Sequence, residues 1–88
     1  MYTKDMLARA KDFAQLLLTD SDLADILGLS LAQVRVALST PSDELGVAIR
    51  SGRAITKAGL HKSLIDLAMR GSSPAQTAVA ALLKAIGA

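Results

Sequence analysis

Cysteine is absent from the chain, and its absence excludes disulfides and thiolate metal sites; a reducing compartment suits such a protein. Histidine occurs once, at His61, so a metal site built on several imidazoles is excluded as well. There is no tryptophan, one Phe and one Tyr. No apolar run approaches the roughly 20 residues that span a bilayer, and the opening MYTKDMLARAK carries charge through its apolar pattern instead of a secretory core. The expectation is a soluble protein of the cytoplasm, with no membrane partner. Nucleophile–base pairs, clustered carboxylates and a glycine-rich phosphate loop are also missing, so no enzyme, cofactor or metal is expected.

What is present is aliphatic. Hydrophobic residues make up 51% of the 88 positions, almost all of them Ala, Leu, Ile and Val. That composition suits packed helices. It is also more apolar surface than a chain this small readily buries alone, which points to self-association. A net charge of +2 permits nucleic acid as a partner without demanding it.

The most informative stretch is DSDLADILGLSLAQVRVALS, Asp20 to Ser39. Leu23 and Leu27 lie four apart on one helix face, and Ala24 allows a close helix crossing. Gly28 suits the positive φ of a tight helix exit. Ser30 then caps a second helix, and Gln33 three residues on completes a capping box. Val34, Ala37 and Leu38 return that helix to the same core. With Ala24, Gly28, Ser30 and Val34 at the family's positions, the block resembles the helix-turn-helix of bacterial and phage DNA-binding proteins. The resemblance implies a second helix that enters the major groove. Its outward candidates are Leu31, Ala32, Gln33, Arg35 and Val36, of which only Gln33 and Arg35 can hydrogen-bond a base edge.

Thr3 is placed to cap a first helix reaching about Leu18, with Leu7, Ala10, Phe13, Ala14, Leu17 and Leu18 as its buried stripe. After the turn motif, Thr40 is the expected cap of a long helix, with Pro41 in its first turn and Asp43 and Glu44 at its positive end. That segment reads as one helix to Arg70, the alternative being two helices broken near Ser51-Gly52. Gly52 and Gly59, seven apart, share a face that permits close helix approach. Leu45, Ile49, Leu60, Leu64 and Leu67 form one apolar stripe; Val47, Ala54, Ala58, Ile65 and Met69 form another, which calls for a partner. Arg50, Arg53, Lys57 and His61 fall in one ridge. Such a row alone reads as a solvated face, and beside a helix-turn-helix it gains weight as a phosphate-contacting strip. Gly71 ends the helix; Ser73 caps the next, Pro74 sits in its first turn, and Gln76 closes a capping box. That last helix is apolar all round save Lys84, so burial on most sides is expected, against the long helix and another copy.

In sequence order, ELGVAIRSGRA follows the turn motif, with Ala48, Ile49, Arg50, Gly52, Arg53 and Ala54 in an A-I-[KR]-x-G-[KR]-A pattern. SLIDLAMRGSSPAQTAVAALLK then adds a helix, a glycine-containing turn and a helix with the pair Leu83-Lys84. Over roughly residues 20 to 84 this arrangement resembles phage terminase small subunits. The resemblance implies recognition of viral DNA at the start of packaging, inside the bacterial host cell. It also implies a ring-shaped homo-oligomer and a large terminase subunit as partner.

The expected fold is all-α, with helices near 4–18, 21–28, 31–39, 41–70 and 74–86. Residues 1–40 would form the helix-turn-helix DNA-binding region. Residues 41–88 would form a helical hairpin used for oligomerisation. The candidate DNA contacts are Ser30, Gln33, Arg35, Arg50, Arg53 and Lys57. A dimeric transcriptional regulator of phage or plasmid type is the alternative. A helical adaptor without DNA binding is a third reading, raised by Leu31, Ala32 and Val36.

Overall fold

The computed structural model describes residues 2–87. They form α1 (Lys4–Ala14), α2 (Asp20–Leu27), α3 (Leu31–Ser39), α4 (Glu44–Met69) and α5 (Ser73–Ala85), with no strand among the described residues. The chain is all-α, as its aliphatic periodicity predicts. It divides into two compact units, Met1–Thr56 and Lys57–Ala88, with the division inside α4.

In the first unit the predicted caps Thr3 and Ser30 form, and Thr19, not foreseen as a cap, starts α2. The Thr3 hydroxyl accepts from the Met6 amide, and the Thr19 hydroxyl from Asp22 at the head of α2. Gly28 takes φ 71°, and Ser30 and Gln33 make both halves of the capping box. The core gathers Ala10 and Ala14 of α1, Leu23, Ala24 and Leu27 of α2, and Val34 and Ala37 of α3. From α4 come Leu45 and Ile49, which are fully buried.

α1 stops at Ala14, four residues short of the predicted Leu18. Its end tightens to i−3 bonds, Leu16 N–H donating to Phe13 O and Leu17 N–H to Ala14 O, and the carbonyls that follow are taken by α4. Gln15 O accepts the Thr56 hydroxyl, and Leu18 O accepts Nη2 of Arg53. The chain turns there with Leu17 at φ 58°, which puts Leu17 in solvent and not in the predicted stripe.

α4 is a single helix, but it begins at Glu44 and its cap is Asp43, not Thr40. Asp43 Oδ1 accepts from the Leu45 and Gly46 amides at 2.9 and 3.2 Å, a charged cap at the positive helix end. Thr40 instead closes α3, its hydroxyl donating back to Val36 O at 2.8 Å. Pro41 accordingly lies in the turn before the helix.

The other Asp43 oxygen, Oδ2, accepts from the Tyr2 hydroxyl at 3.1 Å. Burial raises the Tyr2 pKa above its ordinary value, helped by this hydrogen bond and by the nearby charges of Asp43 and Glu44. A raised folded-state pKa means stability that is intact below the unfolded value of about 10 and lost as pH rises through the folded value. The unmodified chain should therefore lose thermal stability above about pH 10 more steeply than Tyr2→Phe. Parallel melting curves of the two proteins from pH 8 to 11 would refute the coupling.

Two glycines let α4 join this core. A Cβ at Gly46 would overlap the Ala37 carbonyl of α3. One at Gly52 would overlap the Lys11 carbonyl of α1 and stand 2.8 Å from Ala14 Cβ. Gly52 thus serves the close approach expected of it. Gly59, its predicted companion, meets nothing within 4 Å, and Gly46 is the second crossing point instead.

In the second unit, Gly71 at φ 99° turns the chain, and the cap of α5 is Ser72, one residue before the predicted Ser73. Pro74 does occupy the first turn. Gln76 makes no capping box, because with Ser72 as the cap the third helical residue is Ala75; Gln76 Nε2 donates instead to Ala68 O at 3.1 Å and ties α5 to the end of α4. Of α5 only Ala75 is buried. Leu60, Leu67 and Met69 of α4 and Leu83 and Ile86 beyond the turn are exposed, so the burial expected of this apolar pair is not achieved within one chain.

Candidate nucleic-acid interface

α2 and α3 pack on each other, and α2 also packs on α1, so α3 is held by a helix that is itself anchored. Val34 and Ala37 are its buried face; Ala32, Gln33, Arg35, Val36 and Ser39 face water. The start of α3 is open to solvent, with Ser30 exposed. Helix N-termini present unpaired amides and a partial positive charge to anions.

The six sequence-predicted contacts differ in how committed they already are. Ser30 Oγ accepts from the Gln33 amide at 3.1 Å, and Gln33 Oε1 accepts from the Ser30 amide at 2.8 Å. Both side chains therefore serve the cap, and Gln33 keeps its Nε2 for other use. Arg35 is exposed and makes no hydrogen bond or ion pair among the described residues. The same holds for Lys57, in the second unit.

Arg50 and Arg53 are half-buried and engaged. Arg50 donates to Leu38 O at 2.8 Å and to Pro41 O at 3.1 Å, closing the end of α3. Arg53 donates to Leu18 O and to Asp20 Oδ1, each at 2.9 Å. Arg9, on α1, does the same for α2 by donating to Ile26 O at 3.1 Å. Three guanidiniums thus satisfy carbonyls at helix ends, Ile26 and Leu38, or in the turns between helices, Leu18 and Pro41. The ridge spacing in the sequence did place Arg50 and Arg53 beside each other. It carried no sign of these carbonyls, although Ile49 and Gly52, each preceding one of the arginines, marked that side of α4 as the one facing the core.

Charge is distributed unevenly. Residues 1–56 hold six Lys and Arg against seven Asp and Glu, while residues 57–88 hold four against one. Beside α3, Tyr2, Leu29, Ala32, Gln33 and Val36 line a shallow, mostly apolar depression. Val36 is 63% exposed. Among the described residues no group of three or more His, Cys, Asp and Glu is arranged to hold a metal, and no helix is long and apolar enough to cross a membrane.

Comparison with known proteins finds no matching family model, no matching curated protein and no matching solved structure.

Proposed function

We propose that the α2–turn–α3 unit is a DNA-binding helix-turn-helix, and that the protein is a non-enzymatic, self-associating subunit that recognises viral DNA for packaging. The observation that carries this reading is α3 itself. It is a capped helix, fixed on α2 by Val34 and Ala37, whose open N-terminus and exposed Arg35 face solvent together. Phosphate contacts dominate in this reading: the amides at the start of α3, with Ser30, and Arg35 are uncommitted or nearly so. Lys57 adds a cation from the second unit. Arg50 and Arg53 contribute only with donors left over from their carbonyls. Gln33 is left with its Nε2 for a base edge. Self-association repeats a weak site and raises avidity. In this proposal the assembly is a ring, and its partner is a large terminase subunit carrying the motor and nuclease.

The test is a salt series on a cognate and a scrambled duplex with the assembled protein. Each phosphate neutralised should add about 0.9 to the log–log slope, and Arg35→Ala should reduce that slope by about 1 on both duplexes. Gln33→Ala should cost mainly discrimination between them. Binding that ignores salt, or no binding to either duplex, rejects the reading. A stable dimer that binds one operator-like site would favour a transcriptional regulator, because a many-membered ring does not suit a two-fold operator.

A second reading has its own observation. The apolar depression at Tyr2, Leu29, Ala32 and Val36 lies where base-reading side chains would stand, and the unit around it is slightly acidic. Both suit an adaptor that presents α3 to a protein. Failure of the salt series on both duplexes would select it.

A further inference from the structure

Two uncovered surfaces of the chain are apolar and carry opposite charge. The first is the knuckle between α1 and α2. Leu16 and Leu17 are 66% and 51% exposed there, and Leu17 is the sole non-glycine residue with positive φ among the described residues. Glycine takes that conformation freely and a branched side chain does not, so a leucine held there and turned to water adds nothing to its own fold. The knuckle is acidic on balance: Asp12 precedes Leu16 by one turn, and Asp20 and Asp22 follow. Arg53 pairs with Asp20 there, which leaves Asp12 and Asp22 uncompensated by any Lys or Arg between Asp12 and Val34.

The second surface is a groove in the second unit, lined by Ile65, Val79, Leu82 and Ile86 together with Lys57 and His61. Its surroundings are basic, with Asp66 the single acid after residue 56. Apolar floor and positive charge occur together here, as apolar tip and negative charge do at the knuckle.

We propose that the Leu16-Leu17 knuckle of one molecule seats in this groove of a second copy. The contact specifies how the self-association of the preceding reading is made, and it rests on that part of the reading alone. Pairing knuckle with knuckle, or groove with groove, would oppose like charges, whereas knuckle with groove joins opposite ones. Such an interface is head-to-tail. Each bound copy adds one free knuckle or one free groove, so copies continue until a ring closes.

The experiment measures the mass of the full-length chain by sedimentation and native mass spectrometry, with no DNA present. Leu17→Gly removes the tip and releases the positive φ, so its helical melt should match or exceed that of the unmodified protein. Ile86→Asp changes a residue that is 79% exposed, so folding is spared. Each variant should weaken self-association about tenfold or more, as loss of one buried aliphatic side chain does. The decisive arm mixes the two. Leu17→Gly keeps its groove and Ile86→Asp keeps its knuckle, so the mixture should form one-to-one pairs and nothing larger. An unmodified protein that stays monomeric, a variant that assembles like the unmodified protein, or a mixture that forms no pair would each overturn the proposal. An assembly that behaves as described yet ignores every duplex would reject DNA binding and leave this contact standing.

Discussion

Gly52→Ala should lower the stability of the first unit by about 3 kcal/mol, at the upper end of what overpacking costs. A new methyl would meet the Lys11 carbonyl and Ala14 Cβ, which is itself fully buried, so neither neighbour can rotate away. Backbone would have to move. Gly46→Ala should behave similarly against the Ala37 carbonyl. Glycine is otherwise a poor helix residue, weaker than alanine by about 1 kcal/mol, so both substitutions would gain stability if space allowed. Gly59 supplies that comparison. It lies in the same helix with nothing within 4 Å of an added Cβ, and Gly59→Ala should stabilise by roughly 0.5–1 kcal/mol. For a domain of this size the first change corresponds to a melting point lower by about 15 °C. Thermal melts of the three variants decide the matter: equal effects at positions 52 and 59 would mean that α4 does not approach α1 closely.

Arg50→Ala and Arg53→Ala should each cost about 2 kcal/mol of stability before any nucleic acid is added, the usual scale for hydrogen bonds from a charged donor. The contribution comes mainly from the carbonyls. The Arg53–Asp20 ion pair has about a third of each side chain in water and counts for little. Lysine should restore only part of the loss, since a point charge cannot bridge Leu38 O and Pro41 O as the two Nη groups of Arg50 do. Arg35→Ala, with no bond to lose, should leave the melt within about 0.5 kcal/mol. The comparison separates two meanings of a weakened DNA affinity. If Arg53→Ala lowered affinity with no change in melting temperature, the guanidinium would be a phosphate contact and its carbonyl bond incidental.

Much of the first unit is legible in the chain because it depends on neighbours in sequence. Helical periodicity, the Thr3 cap, the Gly28 exit and the Ser30–Gln33 box involve residues three to five apart, and local geometry decides them. The buried set of α2 and α3 follows from the same spacing. Of the helix ends that differ from expectation, the α1 end meets distant partners, whereas the shifted caps of α4 and α5 are as local as the predicted ones. Beyond the end of α1, Thr56 and Arg53 donate to the Gln15 and Leu18 carbonyls, while Thr40 closes α3 through Val36 O and Asp43 caps α4.

The candidate site divides in the same way. Arg35 is outward and uncommitted simply because Val34 and Ala37 turn the other side of α3 inward. Arg50 and Arg53 look equally available in the sequence, since spacing gives the face of a helix and not what lies across from it. What only tertiary structure decides is which carbonyls stand opposite those arginines, and that Gly46 and Gly52 but not Gly59 meet another helix. Sequence by itself determined an all-α chain with a capped α2–turn–α3 unit and an excess of apolar surface. Packing alone decided which arginines are held, which leucines stay in water, and where the backbone must come closest, because each depends on groups 9 to 41 residues apart that meet only on folding.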